Sequence, residues 1–278
     1  MSLIGALVRL NGLPVWKREV RVWDRRFAAV SLDRLLNLCL HRLRVMGRAD
    51  AAFLRAVVRP GMRVVDIGAN QGLYTLLLSA IVGASGSVVA FEPDPELFEV
   101  LSYNCRTNSA RNVCLYAVAL GSTTGPATLA RSLLNAGDNR LASGQRSEVV
   151  RRVQIMVATL DEIIGDSHVD FIKMDVQGWE WEALKGMARV LEVNTSLGIY
   201  FEFWPYGLTN AGCDPVALLN YLSERGFLIY ECQGRQPRLL CDFAEFGKRF
   251  HGRRYTNLYA ERKGGSSAPL ASTCAQPL

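Results

Sequence analysis

Three groups of residues in this 278-residue chain have the types and spacing for chemistry. The first is Asp66-Ile67-Gly68-Ala69-Asn70-Gln71-Gly72, where an apolar run (Val64, Val65) ends on a carboxylate and a two-glycine turn opens into a helix-like pattern. Gly68 permits a tight turn, and Gly72 lets the next helix begin close to a ligand lying on bare backbone. The second is Glu92 in Phe91-Glu92-Pro93, twenty residues beyond Gly72. An acid at the end of the second strand can accept both hydroxyls of a ribose. The third comprises Lys173 and Asp175 in "FIKMDVQGWE" and Glu202 in "YFEFWP". Alternation along a strand puts Lys173 and Asp175 on one side, with Asp175 nearer the carboxyl end. Burying such groups is costly unless they pair or face a wet cleft. They are either a buried ion cluster that only fixes the sheet or groups that move a proton.

The turn and the ribose acid together select the ligand. A pyrophosphate-binding turn uses Gly-x-Gly-x-x-Gly and helix-terminal amides. Here Asn70 replaces the middle glycine, the spacing is Gly-x-x-x-Gly, and Asp66 precedes the turn. That acid would repel a pyrophosphate but suits a cationic aminoacyl group, which favours S-adenosylmethionine over a nicotinamide dinucleotide. Cofactor contacts are therefore assigned to Asp66, Gly68, Ala69, Asn70, Gly72, Glu92, Pro93, Asp94, Ala117, Val118 and Asp175. Ala117-Val118 would offer backbone to adenine. Asp94 would reach the adenine edge or cap a helix. Methyl transfer from a sulfonium needs an aligned acceptor, and a hydroxyl acceptor needs a base. Asp175 is the first candidate, Glu202 the second, with Lys173 beside them. An oxygen-rich cluster would suit magnesium, but the acids lie far apart in sequence with no further ligand evident, so a divalent metal is not favoured.

The elements that must hold these groups alternate. Apolar strands are expected at Arg63–Asp66, Ser87–Glu92, Val113–Val118, Val169–Asp175 and Leu197–Phe203, with helices at Gly72–Ile81, Pro95–Thr107, Trp179–Leu191 and Pro215–Arg225. Alternation with continuously apolar strands predicts an α/β fold with a parallel sheet covered on both faces. Ligands sit at the carboxyl ends of such strands. Between 121 and 157 the rhythm breaks into "ATLAR" and "VRRVQIMV", read as a hairpin flanking an inserted loop. That loop contains Asp138, Asn139 and Arg140, assigned as substrate contacts on a lid or else as solvated surface. Trp204 is assigned to the acceptor pocket wall or to plain core. Residues 24–58 carry a helical stripe that includes Leu32, Leu35, Leu36 and Cys39, so 1–59 is expected as a basic, helical N-terminal extension. "FLIYECQ" and "NLYAER" are expected as an antiparallel edge pair, and 264–278 as a disordered tail.

Composition bounds the rest. With 49% apolar and 21% charged residues the chain reads as a soluble globular protein. Residues 1–63 carry 13 Lys+Arg against 4 Asp+Glu, a net +9, and the remainder a net −3, against a total of +6. That asymmetry is a solvated helical face or a basic appendage for an acidic partner. Seven cysteines without a Cys-x-x-Cys pair predict reduced thiols in a cytoplasmic protein. The apolar runs are too short to span a bilayer, and no secretory leader is recognisable. Three scattered histidines form no zinc spacing, and His168 falls at the wrong sheet edge for a base. Asn104 reads as a polar helix-face residue or a site residue.

"VVDIGANQGLYTLLLS", "VVAFEPDPELFEVLSYNCRTN", "VALG", "TLDEI", "VDFIKMDVQGWEWEALKG" and "GIYFEFWP" together resemble the FkbM family of S-adenosylmethionine-dependent methyltransferases, over roughly Pro60 to Cys232. The resemblance implies a Rossmann-like class I methyltransferase domain (60–263, with the 121–157 insertion), whose seven-stranded sheet ends in an antiparallel strand. It also implies S-adenosylhomocysteine as product and O-methylation of a sugar or secondary metabolite. Gln177 departs from the family pattern, which usually has Glu there. The rivals are an RNA methyltransferase using the basic N-terminal region, although nucleic acid is not the favoured partner, and a non-catalytic nucleoside-binding subunit. Neither the acceptor nor the oligomeric state is legible.

Overall fold

The computed structural model describes residues 19–28, 47–132, 140–141, 150–232, 236–250 and 252–262. The expected tail at 264–278, the stripe from Leu32 to Leu43, and Asp138 and Asn139 lie outside these residues. The chain divides into two units, one of Met1–Ala119 with Gly125–Val157 and one of Leu120–Thr124 with Ala158–Leu278.

The first unit opens with a hairpin of β1 (Glu19–Val22) and β2 (Arg25–Ala28). Its two-residue turn, Trp23-Asp24, has φ of 47° and 64°, the left-handed pair that matches strand twist. Residues 24–28 are thus turn and strand, not helix as expected; among the described residues of that stretch, α1 (Arg48–Val57) is the helix that forms. The hairpin wins because tertiary partners satisfy it. Val22 and Phe27 are buried in a cluster with Ala69, Leu73, Leu76, Leu101 and Cys105. Asn104 accepts from the Ala28 amide (2.8 Å) and donates to the Ala28 carbonyl (3.3 Å) and the Gln71 carbonyl (2.8 Å).

β3 (Arg63–Ile67) is buried from Val64 onward, as its unbroken apolar run demands. It is followed by α2 (Leu73–Val82), β4 (Ser87–Phe91), α3 (Pro95–Thr107) and β5 (Val113–Tyr116). The three strands are parallel and level, with Ile67 opposite Phe91 and Phe91 opposite Tyr116. α3 starts on Asp94, whose side chain accepts from the Glu96 and Leu97 amides, with Pro95 at the first helical position. After the short β6 (Ala119–Leu120), the insertion forms the expected hairpin. β7 (Gly125–Ser132) pairs antiparallel with β9 (Val150–Ala158), and β8 (Arg140–Leu141) pairs on the other side of β7. Leu129, Ile155 and Val157 bury one face with Ala119.

The second unit begins its regular structure with α4 (Leu160–Ile164), held by a capping box between Thr159 and Glu162. β10 (Phe171–Met174), α5 (Glu180–Lys185), α6 (Ala188–Val193), β11 (Gly198–Phe203), α7 (Pro205–Asn210), α8 (Pro215–Glu224), β12 (Phe227–Glu231), β13 (Arg238–Leu239), α9 (Phe243–Lys248) and β14 (Thr256–Arg262) follow. β10 and β11 are parallel. β14 lies between β11 and β12, antiparallel to both, and β13 pairs with β12. The C-terminal strands are therefore antiparallel as expected, but β14 is interior, not an edge. Its buried run Leu258, Tyr259, Ala260 fits that position. One further expectation is corrected: Cys241 is disulfide-bonded, whereas Cys105, Cys114 and Cys213 are free thiols. Pairing depends on which segments the fold brings together, which sequence spacing does not reveal. No helix among the described residues is long and apolar enough to cross a membrane.

Candidate active site

In the first unit, the level strands β3, β4 and β5 bring three segments to one edge: Asp66–Gly72, Glu92–Asp94 and Ala117–Val118. Asp66 is buried and accepts from the Thr75 hydroxyl at 2.6 Å. The turn then passes through positive φ at Gly68 (78°), Asn70 (55°) and Gly72 (91°). Asn is the non-glycine residue that tolerates this conformation, and its Oδ1 accepts the Gln71 amide at 2.8 Å. A side chain at Gly72 would strike Leu101 of α3, 2.8 Å from the new carbon. The Gly68 and Ala69 amides both donate to the Phe91 carbonyl, at 3.1 and 2.9 Å, which ties the turn to β4.

Glu92 locks this edge. Its Oε2 accepts the Asn70 amide (2.8 Å) and its Oε1 the Asp94 amide (2.9 Å), with only 5% of the residue exposed. The carboxylate predicted to hold a ribose thus also fixes the turn before it. The Glu92 amide in turn donates to the Tyr116 carbonyl at 3.1 Å, and the Phe91 and Tyr116 rings stack with centroids 5.2 Å apart. Ala117, just beyond, is exposed.

Asp94 is committed to structure. Besides capping α3, it forms a two-point ion pair with Arg131 on β7, itself buried. Arg131 also reaches Glu96 at 2.8 Å, and Arg151 on β9 reaches the same Glu96 at 3.2 Å. Arg131 was missed in the sequence. Its signal was available, because alternation along "ATLARS" places it on the buried face with Leu129.

In the second unit, Lys173 and Asp175 do share a side: Lys173 is buried, and its Nζ lies 3.9 Å from Asp175 Oδ2. Met174 is level with Phe201 in the parallel register, so Asp175 and Glu202 follow at the same height. The group joining them is Gln177, whose Nε2 donates to Asp175 Oδ1 (2.9 Å) and to Glu202 Oε2 (3.0 Å). Gln177 has φ 55°, a left-handed conformation costing about 1–2 kcal/mol for a residue with a Cβ. The bend continues at Gly178 (φ 97°), where a Cβ would sit 2.5 Å from the Gly207 carbonyl carbon.

Glu180, also missed, holds the bend from the far side. It is fully buried, accepts the Val176 amide at 3.2 Å, and its Oε2 has no hydrogen-bond partner among the described residues. Burial pushes its carboxyl up to about 7 despite the amides it accepts, with nearby Asp175 adding to the rise. Trp204 is buried, its ring packed on Gly207 and tilted against Tyr206 at 5.6 Å. That favours the core role of the two expected for it. His168 pairs with Asp170 at 2.8 Å ahead of β10, away from the carboxyl end. Arg140 lies in β8, and only its backbone is described. Among the described residues no three His, Cys, Asp or Glu side chains gather as a metal-ligating set.

Comparison with known proteins follows the same lines. The model of the methyltransferase FkbM domain matches residues 66–229, more than half of the chain. Hexuronic acid methyltransferase AglP of Haloferax volcanii is 26% identical over 162 residues, covering 57% of this chain and 60% of that protein. The Thermoplasma acidophilum protein assigned as a cobalt-precorrin-6B C(15)-methyltransferase (decarboxylating) is 30% identical over 109 residues, 39% of this chain and 38% of its own. These matches thus span less than two thirds of those relatives' length. A solved structure from Clostridium thermocellum assigned as an rRNA methylase superposes with a TM-score of 0.50 at 12% identity, covering 78% of this chain and 95% of its own. It shows a shared Rossmann-like class I methyltransferase fold. The chain belongs to the FkbM family of S-adenosylmethionine-dependent methyltransferases.

Proposed function

We propose that this protein methylates a hydroxyl group on a sugar or related small metabolite. The observation that carries the reading is the pair Asp175 and Glu202, two carboxylates held together at the carboxyl end of β10 and β11 by one amide. An aliphatic hydroxyl must lose its proton as it is alkylated, and a carboxylate within hydrogen-bond reach can accept it. Asp175 is the favoured base and Glu202 the second, with the Lys173 ammonium 3.9 Å from Asp175.

The residues of the first unit fit the donor. The turn from Asp66 to Gly72 contains no Lys or Arg that would meet a phosphate, and Glu92 offers two oxygens to paired hydroxyls. Asp66, Gly68, Ala69, Asn70 and Gly72 would hold the aminoacyl end, Glu92 and Pro93 the ribose, and Ala117–Val118 the adenine. Asp94, spent on its cap and on Arg131, would serve by positioning Glu92. S-adenosylmethionine supplies a methyl carbon made electrophilic by the adjoining sulfonium. The name of the Haloferax relative supports a uronic or other sugar acid as a first acceptor class to try.

The test is incubation with methyl-labelled donor and pools of sugars, uronic acids and hydroxylated metabolites, with RNA in parallel. Label on a hydroxyl oxygen of a small molecule supports the proposal. Label on nitrogen, on carbon or on RNA defeats it.

A further inference from the structure

We infer that the segment leading into β14 is an anion subsite for the acceptor. Arg253 and Arg254 would bind a carboxylate or phosphate group on the same molecule that presents its hydroxyl to Asp175 or Glu202. The inference rests on the reading of those two acids as the acceptor's base, and it adds the charge that the acceptor carries.

The register of β14 fixes where this segment lies. Asn257 is opposite Glu202 and Thr256 is opposite Phe203. Residues directly opposite in an antiparallel pair stand on the same face, so Asn257 flanks Glu202, and β14 enters the sheet at the end where β11 leaves it. Arg253 comes four residues before Asn257, a stretch that spans at most about 14 Å when fully extended. A small acceptor and an arginine side chain cover such a distance together.

Arg253 has a built seat. Trp204, the first residue beyond β11, packs against Tyr206 with ring centroids 5.6 Å apart. The Arg253 guanidinium in turn lies 5.7 Å over the Tyr206 ring, within range of a cation–π contact. The strand that carries Glu202 thus runs directly into the aromatic support of Arg253. Such a contact leaves the in-plane N–H donors of the guanidinium for a ligand.

The nearby cations of the same stretch are paired: Lys248 with Glu245 at 3.1 Å and Arg249 with Glu231 at 3.0 Å. Arg253 and Arg254 differ. Both are exposed, and neither forms an ion pair among the described residues. Tyr255, the next residue, is 55% exposed. Beside two guanidinium groups it offers an apolar face to a sugar ring and a hydroxyl to its oxygens. The arginine fork matches carboxylate and phosphate oxygens with paired N–H bonds, so an acidic acceptor gains from this segment what a neutral one does not.

The test is nuclear magnetic resonance titration of the full-length protein with three probes: methyl glucuronide, methyl glucoside 6-phosphate and methyl glucoside. At least one anionic probe should bind about tenfold or more tightly than methyl glucoside, the discrimination that a charge-assisted contact supports, with resonances of Arg253, Arg254 and Tyr255 shifting. Tighter binding of the glucuronide assigns the group as a carboxylate, and tighter binding of the 6-phosphate assigns it as a phosphate. The double variant Arg253→Gln, Arg254→Gln should lose the preference, whereas Lys248→Gln, which removes a paired surface charge, should keep it. Both arginines are exposed, so the double variant is expected to fold. Equal affinity for charged and neutral probes, a preference that survives in the double variant, or the same loss in Lys248→Gln overturns the inference. Anion preference with methyl label landing on nitrogen or carbon would sink the proposed reaction and leave the subsite standing. Hydroxyl methylation of neutral sugars without anion preference would do the reverse.

Discussion

Two acids in this molecule are held in opposite ways. Glu92 in the first unit is gripped by main-chain amides of Asn70 and Asp94, groups that no substitution removes short of proline. Asp175 and Glu202 in the second unit share a side-chain donor, Gln177, on a left-handed bend. The first arrangement is a property of the fold. The second includes a side-chain contact that one substitution can remove.

That contrast can be broken at four places. Glu92→Ala removes the acceptor of two charge-assisted bonds as well as the proposed ribose contact. At about 1.5–3 kcal/mol per hydrogen bond to a charged group, S-adenosylhomocysteine affinity should fall at least about a hundredfold, and near wild-type affinity in calorimetry would refute the cradle. Asp175→Asn should lower turnover by about 10²–10⁴-fold, the ordinary contribution of a general base, while affinity for S-adenosylhomocysteine stays within about threefold. A loss confined to affinity would instead place Asp175 with the donor.

Glu180→Gln tests the bend. Its carboxyl is raised from 4.5 to about 7 in the folded chain. The folded protein therefore keeps a proton that the unfolded chain has released, and stability falls as pH rises from about 4.5 through 7, then levels off. A shift of that size corresponds to roughly 3 kcal/mol. Denaturant unfolding should show Glu180→Gln more stable than wild type at pH 8 by up to about that amount, with the two converging near pH 4. Parallel pH profiles would show that Glu180 does not titrate in this window. The smallest effect is expected from Asn104→Ala, which strands the Ala28 amide and the carbonyls of Ala28 and Gln71. A loss of about 1–3 kcal/mol is expected, with amide exchange accelerated in β1, β2 and the Asp66–Gly72 turn together.

These differences explain what was legible beforehand. The turn, Glu92 and the strands β3, β4, β10 and β11 could be read because their signals are local: glycine spacing, an acid at a strand end, unbroken apolar runs. Asp175 and Glu202 could be matched because parallel register follows from strand length. The hairpin at Glu19–Ala28 was invisible because its reason lies some 76 residues away, in Asn104. The same holds for β14, whose interior place is set by both neighbours and not by its own sequence. Arg131 could have been found from strand alternation. Gln177 was noticed only as a departure, since its backbone angle and its two partners exist only once the bend has formed.

The placement of β14 has a consequence for how the second unit is made. Its residues are the last described to be synthesised, yet they fill the slot between β11 and β12. Until Thr256–Arg262 has left the ribosome, those two strands have a gap where their shared partner belongs. Strands β11 and β12 therefore gain their shared partner only after Thr256–Arg262 has been made. Truncation at 255 would remove a middle plank of the sheet, not trim its border.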